Sequence, residues 1–550
     1  MLATLFALSV LASADTPPAA QPHPSMPARA ADAARGVPLF DDLGTFHRAI
    51  SSKSKTAQKY FDQGMRFLYG FNHDEAERSF REAARLDPAC AICWWGVAVV
   101  LGPNINLPID PERNAKAVEA VVKAKGLSVK ASPVERELIL ALMNRYTADP
   151  AVERATLDQA YADAMRGVRA KFPADDDVAV LCAESMMDLR PWKFWDADGT
   201  PAEGTLEIVA ILEEVLKRNP SHPGANHYYI HAVEASPNPG RAQEAAKRLD
   251  TLVPGAGHLV HMPAHIYMRT GNYAGASDAN AKAALVDEKY VKATGAAGIY
   301  PVMYYTHNLQ FLAVSAGMEG NSKVSLDAGR RMAGFVLPLV KDMPMVEFVV
   351  PLPVFMQLRF GRYDAVLASQ APSKELPTAT ALWRWARAYA LASQRKHDEA
   401  MKEKAAFEAA RTLVPVDAMM NLNTSKILLD TAAAALDARL ASTSGDRATA
   451  IASWTTAVAL QDQMAYDEPP AWFYPIRESL GGELLRAGKP AEAEAVFRED
   501  LKRNPGNARS LFGLAEALKQ QKKDKDASDA ALHFREAWRR ADVVVTVADL

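Results

Sequence analysis

Residues 57–88 read AQKYFDQGMRFLYGFNHDEAERSFREAARLDP. Counted from Ala57, small residues stand at positions 8, 20 and 27 (Gly64, Ala76, Ala83), Phe80 at 24 and Pro88 at 32. Small side chains let helices approach closely, and proline stops a helix. The spacing returns near the C-terminus, where Gly481, Ala493, Phe497 and Pro505 take positions 8, 20, 24 and 32 counted from Tyr474. Asp500 departs from it, standing at position 27 where a small residue is expected. Helical periodicity dominates from about residue 53 onward, and strand-like alternation is scarce.

These positions resemble the tetratricopeptide-repeat family, whose unit of about 34 residues is a helical hairpin. The resemblance implies an all-α solenoid. The first helix of each repeat would line a concave surface, mainly through positions 2, 5 and 9, with the second helix outside. One hairpin cannot hide its apolar face, so neighbours stack and share a core. In the middle of the chain Pro173, Pro220 and Pro254 each end a helical segment. Read as position-32 prolines, they start repeats at Asp176, Pro223 and Gly257. In the last of these, Gly271-Asn272 makes the inter-helix turn and Ala276 falls at position 20. Repeats are therefore expected over 53–345, with insertions around 103–150 and 190–202, and further helical repeats over 346–550.

The start of the chain, MLATLFALSVLASAD, is a short apolar run ending in Ala12-Ser13-Ala14, the pattern of a signal peptide over 1–14. Export to the periplasm or beyond is expected, although the usual positive residues before the apolar run are missing. Residues 15–52 read as a flexible N-terminal segment, being rich in Pro and Ala over 15–38. No stretch reaches the length of a membrane span. The formal charge of −3 argues against a nucleic-acid partner, which needs a basic surplus. Of the three cysteines, Cys90 and Cys93 are spaced as a buried helical pair or an incidental disulfide.

Seven of the twelve histidines lie between His222 and His307. His227 and His231 are four apart and share a helix face, and His258, His261 and His265 are three and four apart. At about 100° per residue these last three fall within an arc of about 60°. Pro263 interrupts their segment, so His258 is expected just before the regular helix. Three imidazoles on one stripe pack poorly in a core, because each ring nitrogen needs a partner when buried. The repeat register puts His227 and His261 at position 5, His231 and His265 at position 9 and His258 at position 2. It also puts Glu184 at position 9 of the repeat before, and His307 at position 5 of the repeat after if that one starts at Met303. Gly317 would then open that repeat's inter-helix turn. His222, in NPSHPG, reads as a helix cap, and His23, His47, His73, His397 and His533 as ordinary residues.

Six histidines exceed the needs of one tetrahedral ion and suit two ions with about three imidazoles each. Copper is the expected metal, with zinc or iron as alternatives; few carboxylates argue against magnesium or calcium. Glu184 could ligate or act as a general base, and Glu234 could orient an imidazole. Arg269 could hold an anionic substrate. Tyr228, Tyr267, Tyr304 and Tyr305 could line the pocket. The stretch YDEPPAWFYPIRE, residues 466–478, reads either as a lid over the groove or as a rigid join between repeats.

The motifs HYYIHAVE, GHLVHMPAHIYMRTGNY and EPPAWFYP resemble a group of exported bacterial repeat proteins, a likeness that implies the fold and no reaction. Two functional classes stand. One is a dinuclear metalloenzyme, oxidative with copper ahead of hydrolytic with zinc, acting on a small molecule or peptide in the groove. The other is a non-catalytic periplasmic metal-binding or peptide/protein-interaction scaffold.

Overall fold

The computed structural model describes residues 36–550, so the expected signal peptide lies outside the described residues. The chain is a succession of helical hairpins. Its strands, among the described residues, are the two-residue pair Met419–Met420 and Asn423–Thr424. The hairpin of Lys55–Leu68 and His73–Leu86 shows why the sequence spacing works. A Cβ on Gly64 would lie 2.5 Å from the Phe80 ring, and one on Gly96 of the next helix also 2.5 Å. Phe80 is thus clamped between two glycines of successive helices, and Phe497 repeats the arrangement between Gly481 and Gly513.

The turn inside a hairpin is also a repeated device. Asn72, Asn272 and Asn321 each cap the helix that follows by accepting a backbone N–H, which satisfies one of its free donors. Each is preceded by a residue in the left-handed region: Phe71 (φ 54°), Gly271 (83°) and Gly320 (77°). Glycine reaches that region without strain, and phenylalanine does not. The last turn lies at Gly320 because helix Thr306–Met318 runs through Gly317, which sequence spacing had placed at the turn. A π-helical turn, Pro301–Tyr305, precedes that helix and shifts the register.

Residues 36–52 form no helix, but they are anchored rather than loose. Arg48 pairs with Asp175 and Asp177 at 2.8 Å each, and Phe46 packs edge-on against Tyr69 and His222. The C-terminal repeats come round to the middle of the chain. Arg540 pairs with Asp278 at 2.8 Å, Asp542 accepts from Ser322 N, and a Cβ on Gly271 would lie 2.3 Å from the Pro505 carbonyl oxygen. Arg359 pairs with Glu478 in the same fashion. Among the described residues no helix is long and apolar enough to cross a membrane.

Candidate metal centre

Helix Pro223–Val233 carries His227 and His231 one turn apart, as their spacing requires. The next repeat opens with two short helices, Gly257–His261 and Pro263–Thr270, divided at Pro263. The first is a helical turn in its own right, so His258 is placed as firmly as His261 and His265. His307 enters from helix Thr306–Met318. The six rings assort into two sets: His227, His231 and His258, and His261, His265 and His307, with ligand atoms in each set within 4.8 Å of one another.

Each Nδ1 that has a partner points away from the centre. His227 Nδ1 lies 2.7 Å from the Tyr69 carbonyl oxygen, and His261 Nδ1 2.7 Å from Asn280 Oδ1. Asn280 Nδ2 donates to the Ala276 carbonyl, which fixes its oxygen toward the imidazole. Glu234 takes the other two, His231 Nδ1 on Oε1 at 2.7 Å and His265 Nδ1 on Oε2 at 2.5 Å. Oxygen acceptors on all four Nδ1 atoms assign the protons there and leave the Nε2 lone pairs inward. Yet His227 Nε2 lies 3.1 Å from His258 Nε2, and His261 Nε2 2.8 Å from His265 Nε2, while His231 Nε2 has no partner at all.

Without an ion, the first meeting needs an Nε2–H tautomer at His258 and the second a charged His265; His258 Nδ1 has no partner in either state. A cation resolves both meetings. Two nitrogens about 2.05 Å from a tetrahedral ion stand about 3.3 Å apart, close to the His227–His258 separation, while the 2.8 Å between His261 and His265 must widen to take an ion. Glu234 with His231 and His265 is also a compact trio, but its oxygens already accept two imidazole N–H groups, so it orients ligands and does not ligate.

Electrostatics agree at five of the six rings and oppose a metal at His265. Burial, followed by neighbouring imidazoles, pushes His227, His258 and His261 well below the usual histidine range, and His307 down to about 3. His231 also falls through burial, against the pull of Glu234. These rings are neutral, the form that binds metal. His265 rises, because the Glu234 carboxylate outweighs burial. Burial alone would raise Glu234, but His265 and the two imidazole hydrogen bonds hold it well below the carboxylate range.

The centre is not an open groove. His227 and His261 are 0% exposed, and of the six only His307 is partly exposed. Rings close over it. Phe71 lies 4.6 Å from His227 and 5.5 Å from His258 between centroids, Trp192 5.4 Å from His231, Tyr304 4.8 Å from His258 and Phe311 4.8 Å from His261. Phe71 and Trp192 are two of the five non-glycine residues with left-handed backbone among the described residues.

The remaining expected residues fall on both sides of this boundary. Arg269 stands beside the centre, donating to the Glu234 carbonyl at 3.0 Å and lying over the Tyr466 ring. Glu184 joins neither set: it is buried 3.9 Å from Arg145, next to Asp188. Its partner Arg145 comes from the insertion before its repeat, which the register does not place. His222 caps helix Pro223–Val233 through Nδ1 and meets Asp177 at 3.2 Å. Of the tyrosines, Tyr228 stacks on Phe71 behind the centre, and Tyr305 turns away to Glu288. Cys90 and Cys93 form a disulfide at the start of helix Ala91–Leu101. The 466–478 stretch touches the centre at one end and packs into the C-terminal core at the other. Tyr466 donates to Glu468 and lies 3.2 Å from Glu234 Oε2, while Trp472 and Phe473 pack in the core of the C-terminal repeats. Burial pushes Glu468 up to about 7 against the pull of His265. Spacing gave no sign of Asn280 or Trp192, and Tyr466 and Glu468 were visible only as members of an unusual loop.

Residues 479–542 match the tetratricopeptide-repeat family. No curated protein matches the chain. Among solved structures, the chain is similar to yeast Tom70 (14% identity, TM-score 0.32, 88% of this chain and 99% of that one). It is also similar to the human IFIT1 dimer with m7Gppp-AAAA (11% identity, TM-score 0.32, 82% and 90%). The APC/C hetero-tetramer Cut9-Hcn1 is a third (13% identity, TM-score 0.34, 88% and 76%). By its own hairpins, glycine–phenylalanine clamps and capped turns, the chain is an all-α helical-hairpin solenoid of tetratricopeptide type, with matched repeats at 479–542.

Proposed function

We propose that the protein is a helical-repeat scaffold that holds two transition-metal ions, one on His227, His231 and His258 and one on His261, His265 and His307. The observation that carries this reading is the inward meeting of Nε2 atoms at 3.1 and 2.8 Å while the opposite nitrogens are committed to oxygen acceptors. Copper fits best, since the ligands are imidazoles without thiolate, and zinc or iron could take the same sets. The Cys90–Cys93 disulfide supports export to an oxidising compartment. Outside the centre, a peptide or protein is the partner class that such a solenoid suits.

An oxidative copper enzyme is the second reading. The partial exposure of His307 favours it, because an enzyme needs one side of its metal open. Elemental analysis tests the main reading, on protein grown with copper, iron and zinc, beside a His261→Ala/His265→Ala variant. About two ions in the parent and about one in the variant support it. No metal in either ends it. Dioxygen uptake by the copper-loaded protein with ascorbate, above that of free copper, would favour the enzyme.

A further inference from the structure

A second cluster of charge lies in the C-terminal half, away from the histidines. A cavity of about 100 Å³ is lined by three guanidinium groups, Arg359, Arg439 and Arg509. Two side-chain carboxylates share the lining, Glu478 and Asp549, both engaged, and Leu550 brings its main-chain carboxylate to the same wall without an arginine partner among the described residues. Glu478 accepts from Arg359 and from Asn507 Nδ2, and Asp549 caps Thr546. Arg509 reaches only backbone carbonyls, those of Arg359 and Asp549, and the Nε atoms of Arg359 and Arg509 have no acceptor.

Arg439 is the plainest case. Among the described residues no carboxylate pairs with it. Its Nε and one terminal nitrogen donate to the Tyr389 hydroxyl at 2.9 and 2.6 Å, and its guanidinium lies over the Tyr389 and Trp454 rings. The other terminal nitrogen has no acceptor among the described residues. Half-buried and without a carboxylate partner, this guanidinium keeps donors that an anion can take. Trp385, Phe473 and Tyr474 supply aromatic walls to the same cavity, which suits a ligand with an apolar body.

We propose that this cavity binds a small carboxylate. Its carboxylate would take the free donor edge of Arg439 in the charge-assisted geometry that guanidinium groups favour, with its carbon body against the aromatic walls. The volume admits a body of a few carbons up to a single ring. This site is independent of the metal centre.

The test is calorimetric titration of the full chain with propionate, benzoate and inorganic phosphate, at ionic strength matched with chloride. One saturable site for a carboxylate is expected, roughly tenfold or more weaker in Arg439→Gln. The variant's circular dichroism and metal content should equal the parent's. Absence of saturable carboxylate binding overturns the proposal, as does phosphate binding more tightly than both carboxylates, or unchanged affinity in the folded variant. Should Arg439→Gln fail to fold, phenylglyoxal modification of Arg439 in the parent decides. Protection by the carboxylate supports the site, and equal modification with and without it overturns it.

Discussion

Glu234→Gln probes the centre without removing a ligand. In the parent, one carboxylate accepts from His231 Nδ1 and His265 Nδ1, one imidazole from each set. A glutamine of the same shape offers one oxygen and one amide N–H. The oxygen can serve one ring. The other ring then faces a donor with a donor, and relieves the clash only by moving its proton to Nε2, which removes it as a ligand. The substitution also withdraws a negative charge that sits beside both proposed ions. Loss of such an orienting partner costs about 10–100-fold in metal affinity, or about 1.4–2.7 kcal/mol. The expected result is one site weakened by that factor and the other nearly unchanged, read by competition against a chelator and by metal content. Circular dichroism should match the parent. Two ions bound by a folded Glu234→Gln with parental affinity would refute the assignment of Glu234 as the shared orienting group.

Removing metal from the parent with a chelator should lower its denaturation midpoint; at free metal 100 times Kd the lost stabilisation is about 2.7 kcal/mol per site, about 5.4 kcal/mol for two. Asn280→Ala frees His261 Nδ1 and should weaken the second set about tenfold while leaving the first alone. Asp177→Asn should destabilise the fold by about 3 kcal/mol at neutral pH in urea unfolding, since Arg48, Tyr69 and His222 all converge on Asp177. Those partners hold Asp177 well below the carboxylate range against burial, so its contribution is present above an unfolded value of about 3.9 and fades as pH falls below it. The gap between parent and variant should therefore narrow in acid. Gly513→Ala places a Cβ 2.2 Å from the Phe497 ring and should cost about 1–3 kcal/mol, offset by under about 1 kcal/mol of helix propensity.

What was legible in the sequence was whatever depends on spacing within a repeat. The glycine–phenylalanine clamps, the stripes at positions 5 and 9 and the break at Pro263 are all local, and each appears where the register puts it. His258 shows the limit of that reasoning, because proline ends one helix here and permits another immediately before it. Partners from distant repeats were not legible. Glu234 and Tyr466 meet across 232 residues, and nothing in either repeat specifies the other. Glu184 failed for the same reason, since Arg145 claims it from an insertion with no register of its own. Phe71 was not legible either: its left-handed place before a helix cap is taken by glycine at 271 and 320 and by Arg395 and Lys522 in two other hairpins.

An open solenoid behaves as a row of dominoes, each unit leaning only on its neighbours, and it can melt from one side while the other stays folded. The contacts of Arg540 with Asp278, of Pro505 with Gly271 and of Tyr466 with Glu234 bend this row until distant units lean on one another. Local fraying near residue 466 is then felt at residue 234. Hydrogen exchange should find the amides around these two stretches opening together, at one free energy, as a single cooperative block.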